Sequence, residues 1–320
     1  PELAWLFENC FPNTLDTTIS HFTKNVKPDA FVITGDINAM WLRDSTAQVW
    51  PYIPFVKEDT ELSLLIQGVI NRQTKCVLID PYANAFNYGP DGSYWITDET
   101  AMKPELHERK WEVDSLCYVI RLGHQFWKVS GKTDPFDKEW ESAMRLIVKT
   151  FKEQQRKEDN GPYSFRRKTT SPNDTAQGTG SGNPVRPVGL ICSVFRPSDD
   201  GAIFPFLVPS NFFAVQSLRQ LAEMSETILK DKDFAAECRA LADEVYAALQ
   251  KYAIVDHFEF GKVYAYEVDG YGSRLHMDDA NVPSLISLPY IAGIDPAGEV
   301  YQNTRKLSLS PFNPYFAEGK

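Results

Sequence analysis

Apolar side chains recur along most of the chain at intervals of three and four residues, the spacing that gathers them on one face of an α-helix. The stripe in residues 60–76 consists of Leu62, Leu65, Ile66, Val69 and Ile70. The same spacing predicts long helices over 115–130, 137–156, 211–229 and 233–251, and shorter ones near 2–10, 45–56, 282–291 and 298–309. The chain is therefore predicted to be all-α, with helices in pairs.

Local signals mark where some of these helices begin and end. Ser210, which follows a proline, predicts an N-cap for the helix over 211–229, and Gly131 predicts the end of the second long helix. Strand signals are sparse. Residues 263–268, followed by Asp-Gly and Tyr-Gly pairs, predict one small β-hairpin.

Three long irregular segments, at 80–112, 157–209 and 268–281, separate the helices. They are rich in Trp, Tyr, Asp and Arg, which favours ordered functional loops over disorder. Residues 169–183, with the sequence TTSPNDTAQGTGSGN, are the exception and predict a flexible excursion. Their glycines do not predict a nucleotide site, because the spacing fits neither G-x-G-x-x-G nor a P-loop and no strand precedes them.

Composition narrows the class of protein. The 320 residues include 43 % apolar side chains and carry a net charge of −10, which excludes wholesale disorder and disfavours nucleic acid or a membrane surface as partner. No apolar run reaches the roughly 18 residues that cross a bilayer. The start, PELAWLFENC, lacks a signal-peptide pattern. The compartment stays open, periplasmic or secreted if a signal peptide was removed and otherwise cytoplasmic, and so does the oligomeric state.

Cysteines and histidines do not form a metal-binding pattern. The five cysteines are widely spaced without a C-x-x-C pair, so we expect buried free thiols rather than disulfides. No two of the five histidines lie three or four residues apart, the spacing of metal ligands on a helix. The sequence therefore predicts chemistry without a metal or another cofactor.

Four segments combine carboxylates, an arginine and aromatic rings at predicted loops or helix starts. They are 35–45, 107–115, 195–200 and 269–281. Carboxylates and guanidinium groups hydrogen-bond hydroxyls, and Trp and Tyr rings pack on apolar sugar faces, so this combination favours a carbohydrate site. Asp44 and Asp114 also have a simpler interpretation, because each stands before a serine where an acid can cap a helix.

Two adjacent acid pairs, Asp199-Asp200 and Asp278-Asp279, stand within these segments. Neighbouring carboxyls that are partly buried raise each other's pKa, which suits a general acid. Glycoside hydrolysis with inversion needs such an acid and a second carboxyl about 6.5–9.5 Å away. A calcium site or an arginine-paired structural loop would also explain either pair.

Six collinear motifs strengthen the carbohydrate hypothesis. They are ITGDINAMWLRDSTAQ at 33–48, GVINRQTKCVLIDPYANAFN at 68–87, HERKWEVDSLCY at 107–118, FRPSDD at 195–200, MDDANVPSL at 277–285 and VYQNTRK at 300–306. Together they resemble glycoside hydrolase family 125 over nearly the whole chain. The resemblance implies a metal-independent, exo-acting α-1,6-mannosidase on an (α/α)6 toroid, a barrel of six helical hairpins.

The resemblance also implies roles for individual residues. The first acid of FRPSDD, Asp199, would be the general acid, with Asp200 as the alternative. Matching motif positions imply that substrate is bound by Trp41, Arg43, Asp44, Arg109, Asp114, Arg196, Asp278, Asp279 and Asn281.

One part of the family pattern is missing from these residues. The general base of the family is a Glu in an M-H-E-[SG]-F motif preceded by G-I-G-S-P-H-T, and neither motif occurs in the sequence. The predicted helices are also too few to close a toroid of six hairpins. We therefore expect residues 1–320 to be a single catalytic domain that is C-terminally incomplete and lacks its general base.

These observations lead to one function hypothesis and two alternatives. The hypothesis is an exo-acting, inverting α-1,6-mannosidase that releases mannose from the non-reducing end of α-mannoside oligosaccharides, such as N-glycan or mannan fragments. One alternative is another inverting (α/α)6 glycosidase, for example a glucoamylase-like α-glucosidase. The other is a carbohydrate-binding protein without catalysis.

Overall fold

α-Helices make up most of the secondary structure in the computed structural model, which describes residues 2–319. In chain order they are α1 (Glu2–Cys10), α2 (Leu42–Val49), α3 (Thr60–Ile79), α4 (Val113–Ser130), α5 (Lys138–Gln154), α6 (Val208–Met224), α7 (Lys232–Tyr252), α8 (Leu288–Ala292) and α9 (Glu299–Ser308). A 3₁₀ turn at Trp50–Phe55 continues α2, and π-helical turns occupy Thr14–Thr18 and Ser225–Leu229. The helix-rich fold is thus confirmed.

Short antiparallel strands form small sheets that the all-α prediction missed. The strands are β1 (Ile19–Thr23), β2 (Asp29–Val32), β3 (Met40–Trp41), β4 (Ala85–Phe86), β5 (Leu106–Glu108), β6 (Phe206–Leu207), β7 (Ile254–His257), β8 (Gly261–Tyr264), β9 (Glu267–Val268) and β10 (Arg274–Leu275). They pair as β1-β2, β3-β4-β5, β10-β9-β6 and β7-β8. Half of them have two residues, too few to show the alternation that predicts a strand.

The long helices match their predicted spans because local capping agrees with the apolar stripe. Asp59 begins α3 by accepting the N–H of Leu62 at 3.0 Å, and Asp137 and Asp231 cap α5 and α7 in the same way. α4 ends as predicted at Gly131, whose φ of 71° is the left-handed conformation that favours glycine.

Three predicted helix boundaries are wrong. α6 begins at Val208, so Ser210 lies inside the helix rather than at its N-cap; Pro209 stands in the first turn, where no N–H donor is needed. The helix predicted near 45–56 begins earlier, as α2, and passes into a 3₁₀ turn that contains two prolines. The helix predicted near 282–291 is confined to α8.

The predicted hairpin at 263–268 is divided between two sheets. β8 pairs with β7, whereas β9 pairs with β10 across the predicted turn and also with β6. The strand β6 lies about 60 residues earlier in the chain, so this pairing leaves no local sequence pattern.

The helices α2, α4, α6 and α8 pack side by side, each against the next, while α7 forms a hairpin with α6 and α5 packs on α3. Two of the small sheets, β3-β4-β5 and β10-β9-β6, lie where packed helices begin. β3 runs directly into α2, β5 leads through four residues to α4, and β6 runs directly into α6. Side chains of the long loops are thereby gathered at the N-terminal ends of the helices.

Candidate active site

Arg43, in the first turn of α2, connects three of the acidic segments. Its Nη1 donates hydrogen bonds to Glu112 Oε2 at 2.6 Å and to Asp114 Oδ2 at 3.0 Å. Its Nη2 lies 3.9 Å from Asp199 Oδ1. β3 and β4 pair, and β4 and β5 pair, so one sheet aligns the entries into α2 and α4 and places the arginine beside the two acids.

Glu112 and Asp114 are completely buried beside this one guanidinium. Burial raises the pKa of Glu112 well above its ordinary value and also raises the pKa of Asp114, although Arg43 opposes both shifts. Oε1 of Glu112 and Oδ1 of Asp114 have no hydrogen-bond partner within residues 2–319. The centre therefore holds two buried oxygen atoms that can exchange hydrogen bonds with the hydroxyl groups of a ligand.

Asp199 faces Arg43 from the loop that precedes β6. Its Oδ1 is buried without a hydrogen-bond partner in the described part of the chain, while the side chain keeps 48 % of its exposure. Burial raises the pKa of Asp199, Arg43 partly offsets the rise, and the charge of Glu108 adds to it. The carboxyl thus reaches solvent and has a raised pKa, two properties that suit a general acid.

Asp200 is not placed like its neighbour. Its Oδ2 accepts a hydrogen bond from Ser198 Oγ at 3.2 Å, and its backbone carbonyl accepts the N–H of Arg196 at 2.8 Å. Both contacts close the loop 196–200 on itself. The structure therefore separates the two acids of the pair, and Asp199 is the one beside Arg43.

A buried charge network holds the loop of Asp199. Lys110 Nζ donates to the backbone carbonyl of Asp199 at 2.9 Å and to Asp174 Oδ1 at 2.8 Å. Arg167 donates to the same Asp174 oxygen at 2.9 Å and to Glu108 Oε1 at 2.8 Å. Two cations and two acids thus form one connected group beneath the backbone of the predicted acid.

The segment 169–183 contributes to this network, although its composition predicts a flexible excursion. The carbonyl of Asn173 accepts the N–H of Gly201 at 2.7 Å, and Thr175 Oγ1 accepts the N–H of Arg167 at 3.0 Å. The prediction is wrong for these residues, because their backbone and side chains are bonded to the loop of the site.

Arg196 forms a second centre with Glu267 of β9. Its Nε donates to Glu267 Oε1 at 2.6 Å, and Glu267 Oε2 accepts the backbone N–H groups of Ile203 and Phe204. Nη2 of Arg196 and Oδ2 of Asp279 are both buried and have no hydrogen-bond partner among the described residues. One open donor and one open acceptor are thus available to a ligand here.

Arg109 lies apart from both centres. It donates to Asp80 Oδ2 and to Thr100 Oγ1, each at 2.8 Å. Its guanidinium stands 5.5 Å from the ring centroid of Tyr82 and 5.3 Å from that of Tyr163. These contacts join loops and thereby support the fold, and a role of Arg109 in sugar binding stays a prediction.

Asp278 also has a supporting position. Its Oδ1 accepts the N–H of Ala280 at 3.0 Å, its Oδ2 accepts the N–H of Ile286 at 2.9 Å, and burial raises its pKa to about 6. Asn281 is exposed on the same turn. Because backbone N–H groups occupy both oxygens of Asp278, the acid pair divides again, and Asp279 is the member that keeps an open atom.

Asp44 and Trp41 lie next to the first centre. Asp44 Oδ2 is 3.8 Å from Arg43 Nε, and Trp41 is buried at the N-cap position of α2. Neither Asp44 nor Asp114 is an N-cap residue, because Trp41 and Glu112 hold those positions, but both acids lie in the first turn of their helices, where a negative charge favours the helix dipole. Asp114 also binds Arg43.

Sequence reasoning missed several residues of the site. Glu112 and Lys110 belong to the segment 107–115, so the acidic and aromatic pattern pointed to them without giving them roles. The remaining residues stand in segments that the sequence analysis singled out as functional loops or as a hairpin without assigning roles to individual side chains; they are Asp98, Arg167, Asp174 and Glu267.

The side chains offer little for a metal. Within residues 2–319, no group of three or more His, Cys, Asp or Glu is arranged to hold a metal ion.

Over the same range, no helix is both long and apolar enough to cross a membrane. The cysteines are free, and four of them are buried, as the spacing predicts, while Cys10 is exposed.

Comparison with known proteins gives consistent matches. The profile of glycoside hydrolase family 125, described as metal-independent α-mannosidases, matches residues 1–320. The meiotically up-regulated gene 157 protein of Schizosaccharomyces pombe is 40 % identical over 338 residues, which cover 100 % of this chain and 66 % of that protein.

A solved structure matches along the whole chain as well. It is a Streptococcus pneumoniae protein from a family of metal-independent α-mannosidases, in a non-productive complex with α-1,6-mannobiose. The identity is 40 % and the TM-score 0.95, over 100 % of this chain and 75 % of that one. The chain thus spans 66 % and 75 % of the lengths of these two relatives.

Proposed function

The chain belongs to glycoside hydrolase family 125, the metal-independent α-mannosidases, and on that premise we propose that it is an exo-acting, inverting α-1,6-mannosidase. Its substrates would be α-mannoside oligosaccharides such as N-glycan or mannan fragments, from which it releases the non-reducing mannose. The observation that carries the proposal is the position of Asp199, partly buried beside Arg43 and next to carboxyl oxygens without partners. The α-1,6-mannobiose bound to the Streptococcus pneumoniae relative supports the linkage.

In this proposal Asp199 is the general acid. Burial raises its pKa, which favours the protonated carboxyl, and in the proposed reaction this group donates its proton to the glycosidic oxygen as the bond to the anomeric carbon breaks. The carboxylate left behind stands 3.9 Å from the guanidinium of Arg43. The positive charge of Arg43 stabilises the carboxylate of Asp199 that remains after the proton has been transferred.

The buried polar atoms without partners are the proposed contacts to the sugar. Oε1 of Glu112 and Oδ1 of Asp114 belong to the first centre, and Nη2 of Arg196 and Oδ2 of Asp279 belong to the second; each can exchange a hydrogen bond with a hydroxyl group. Trp41 and Asp44 remain proposed contacts beside Arg43, and Asn281 beside Asp279. Arg109 and Asp278 would support these groups without touching the sugar.

The second carboxyl that inversion requires stays a prediction. The resemblance assigns the general base to a motif that these 320 residues do not contain. The closed (α/α)6 toroid and its organisation as one catalytic domain also stay predictions. These predictions, and the kinetic tests described below, concern the protein as its gene encodes it.

The direct test follows the release of mannose from α-1,6-mannobiose by proton NMR. Inversion predicts that β-mannose appears first and then mutarotates. An initial α-anomer would contradict the inverting mechanism, and faster release of glucose from aryl α-glucosides would favour the α-glucosidase alternative. Binding of the disaccharide without any release of mannose would favour a carbohydrate-binding protein.

A further inference from the structure

Lys110 is a buried lysine whose ammonium group binds the backbone of the loop that carries the proposed general acid. Its side chain is 3 % exposed. Nζ donates to the carbonyl oxygen of Asp199 and to Asp174 Oδ1, and it lies 3.5 Å from Glu108 Oε1. Burial alone would lower the pKa of Lys110, but the charges of Glu108 and Asp199 and the bond to Asp174 raise it above its ordinary value. The group is therefore a permanent cation.

The backbone that Lys110 holds is strained. Asp199 has a φ of 66°, the left-handed region that non-glycine residues rarely enter, and such a conformation persists only where the surroundings hold it. The N–H of Asp199 donates to the carbonyl of Arg196 at 2.9 Å, which closes the turn from one side. Lys110 binds the carbonyl oxygen of Asp199, so both the N–H and the C=O of Asp199 are hydrogen-bonded.

The lysine is itself anchored through a chain of contacts. Asp174, which accepts from Lys110, also accepts from Arg167 Nη1 at 2.9 Å. Arg167 is fixed in turn by Asp98, whose two oxygens accept its Nε and Nη2, and by the ring of Trp95, 3.6 Å from its guanidinium carbon. Lys110 and Arg167 are both buried, and each contacts more than one acid, so several contacts together fix the position of the ammonium group.

We propose that Lys110 is a positioning residue for the general acid: by binding the carbonyl of Asp199 it keeps the left-handed turn that aims the carboxyl at the glycosidic oxygen. The proposal rests on the proposed role of Asp199. It assigns Lys110 an effect on proton donation rather than on sugar binding, because its three donors face Asp199, Asp174 and Glu108.

The test measures kcat and KM of the Lys110→Met variant on two substrates. α-1,6-Mannobiose has a poor leaving group and needs a well-placed acid, whereas a dinitrophenyl α-mannoside needs almost none. We expect kcat to fall by about 10²-fold on mannobiose and by less than about threefold on the dinitrophenyl substrate, with KM nearly unchanged. Lys132→Met is the matched control, since Lys132 donates to Ser63 Oγ beyond the far end of α4.

A merely structural role would reduce kcat equally on both substrates, and that result, or no loss on either, would overturn the proposal. If Lys110→Met does not fold, Asp174→Asn decides in its place. Asp174 is partly exposed, and losing its charge should loosen the lysine and produce the same selective loss at a smaller size.

The Asp199→Asn variant distinguishes a wrong assignment of the general acid from a wrong assignment of the positioning residue. If it shows no dependence on the leaving group, the proposed acid is wrong, whatever Lys110 does. If Asp199→Asn shows the dependence and Lys110→Met does not, only the positioning role is wrong. In the double variant, Lys110→Met should add almost nothing to the loss on mannobiose, because no acid is left to be aimed. An additive loss would contradict the proposal.

Discussion

Arg43, which is nearly buried, and Arg109, which is buried, look alike in the sequence and have different surroundings in the structure. Each stands in an acidic, aromatic segment, and each binds carboxylates. Arg109 has one acid, one hydroxyl and two tyrosine rings around it. Arg43 has two buried acids, each with an oxygen that nothing in the described chain satisfies, and Asp199 besides.

The difference shows how a site can be told from a support. Buried polar atoms are nearly always hydrogen-bonded, because an unmet donor or acceptor costs about 1–3 kcal/mol. A group whose partners are all protein atoms stabilises the fold. We infer that the cluster around Arg43, which leaves several buried atoms without a protein partner beside one cation, is open to a ligand, because hydroxyl groups of a sugar can supply those partners.

The largest expected difference between the two arginines appears when each is replaced by lysine. Lysine keeps the charge but loses the fork that holds two partners at once. Arg43→Lys should lower kcat/KM on α-1,6-mannobiose by about 10²–10³-fold, as expected when a fixed electrostatic contact is lost. Arg109→Lys should lower the melting temperature and leave kcat/KM of the folded enzyme within about threefold of the parent.

Steady-state kinetics together with thermal unfolding of both variants check this prediction. If Arg109→Lys were the variant with the large kinetic loss, the assignment of Arg109 to the support would be wrong. Similar losses in both variants would show that the unsatisfied atoms do not mark the site.

A smaller effect should appear in the acid pair 278–279, which repeats the contrast. In Asp279→Asn an amide nitrogen can replace the open oxygen near Arg196, so a hydroxyl loses a charged acceptor and KM should rise about tenfold. In Asp278→Asn the amide cannot accept from both Ala280 and Ile286, so the melting temperature should fall while KM stays near the parent value. A raised KM in Asp278→Asn without a loss of stability would reverse the two roles.

The smallest effect on activity is expected from the ionisation of Asp278, which should instead make the free energy of unfolding depend on pH. Its pKa is raised from 3.8 to about 6 in the folded protein, so the folded state holds this proton where the unfolded state has lost it. The stability that the protonated carboxyl contributes is therefore present at low pH and is lost as the pH rises from about 4 to 6, by about 3 kcal/mol in total.

Chemical denaturation of the parent and of Asp278→Asn between pH 4.5 and 7.5 measures this contribution. The free-energy difference between the two proteins should shrink as the pH rises, because only the parent has the carboxyl that must ionise. A difference that stays constant, or grows, would contradict the burial of this acid.

The helices were accessible from the sequence because their causes are local. The apolar stripe of α3 and the acids that cap it, or Gly131 at the end of α4, lie within the element they determine. The start of α6 was not accessible from the sequence, since Ser210 and Pro209 carry competing signals and the proline determined the first turn. Strands of two residues have no period to detect.

The candidate site was accessible only in part for the same reason. The motifs indicated Arg43, Asp114, Asp199 and Arg196, and the structure places each of them in one of the two centres. The partners that distinguish these residues from Arg109 come from far along the chain: Glu112 binds an arginine 69 residues away, and Lys110 binds a carbonyl 89 residues away. Such pairings depend on the packing of helices and leave no trace in spacing.

Asp199 as the proton donor is the central claim, and its leaving-group dependence is the most direct measurement. Asp199→Asn keeps the size of the side chain and removes the acidic proton, so kcat on α-1,6-mannobiose should fall by about 10²–10⁴-fold. On a dinitrophenyl α-mannoside the loss should be much smaller, and Asp200→Asn should affect both substrates alike. If the dependence on the leaving group appears in Asp200→Asn instead, or in neither variant, Asp199 is not the general acid.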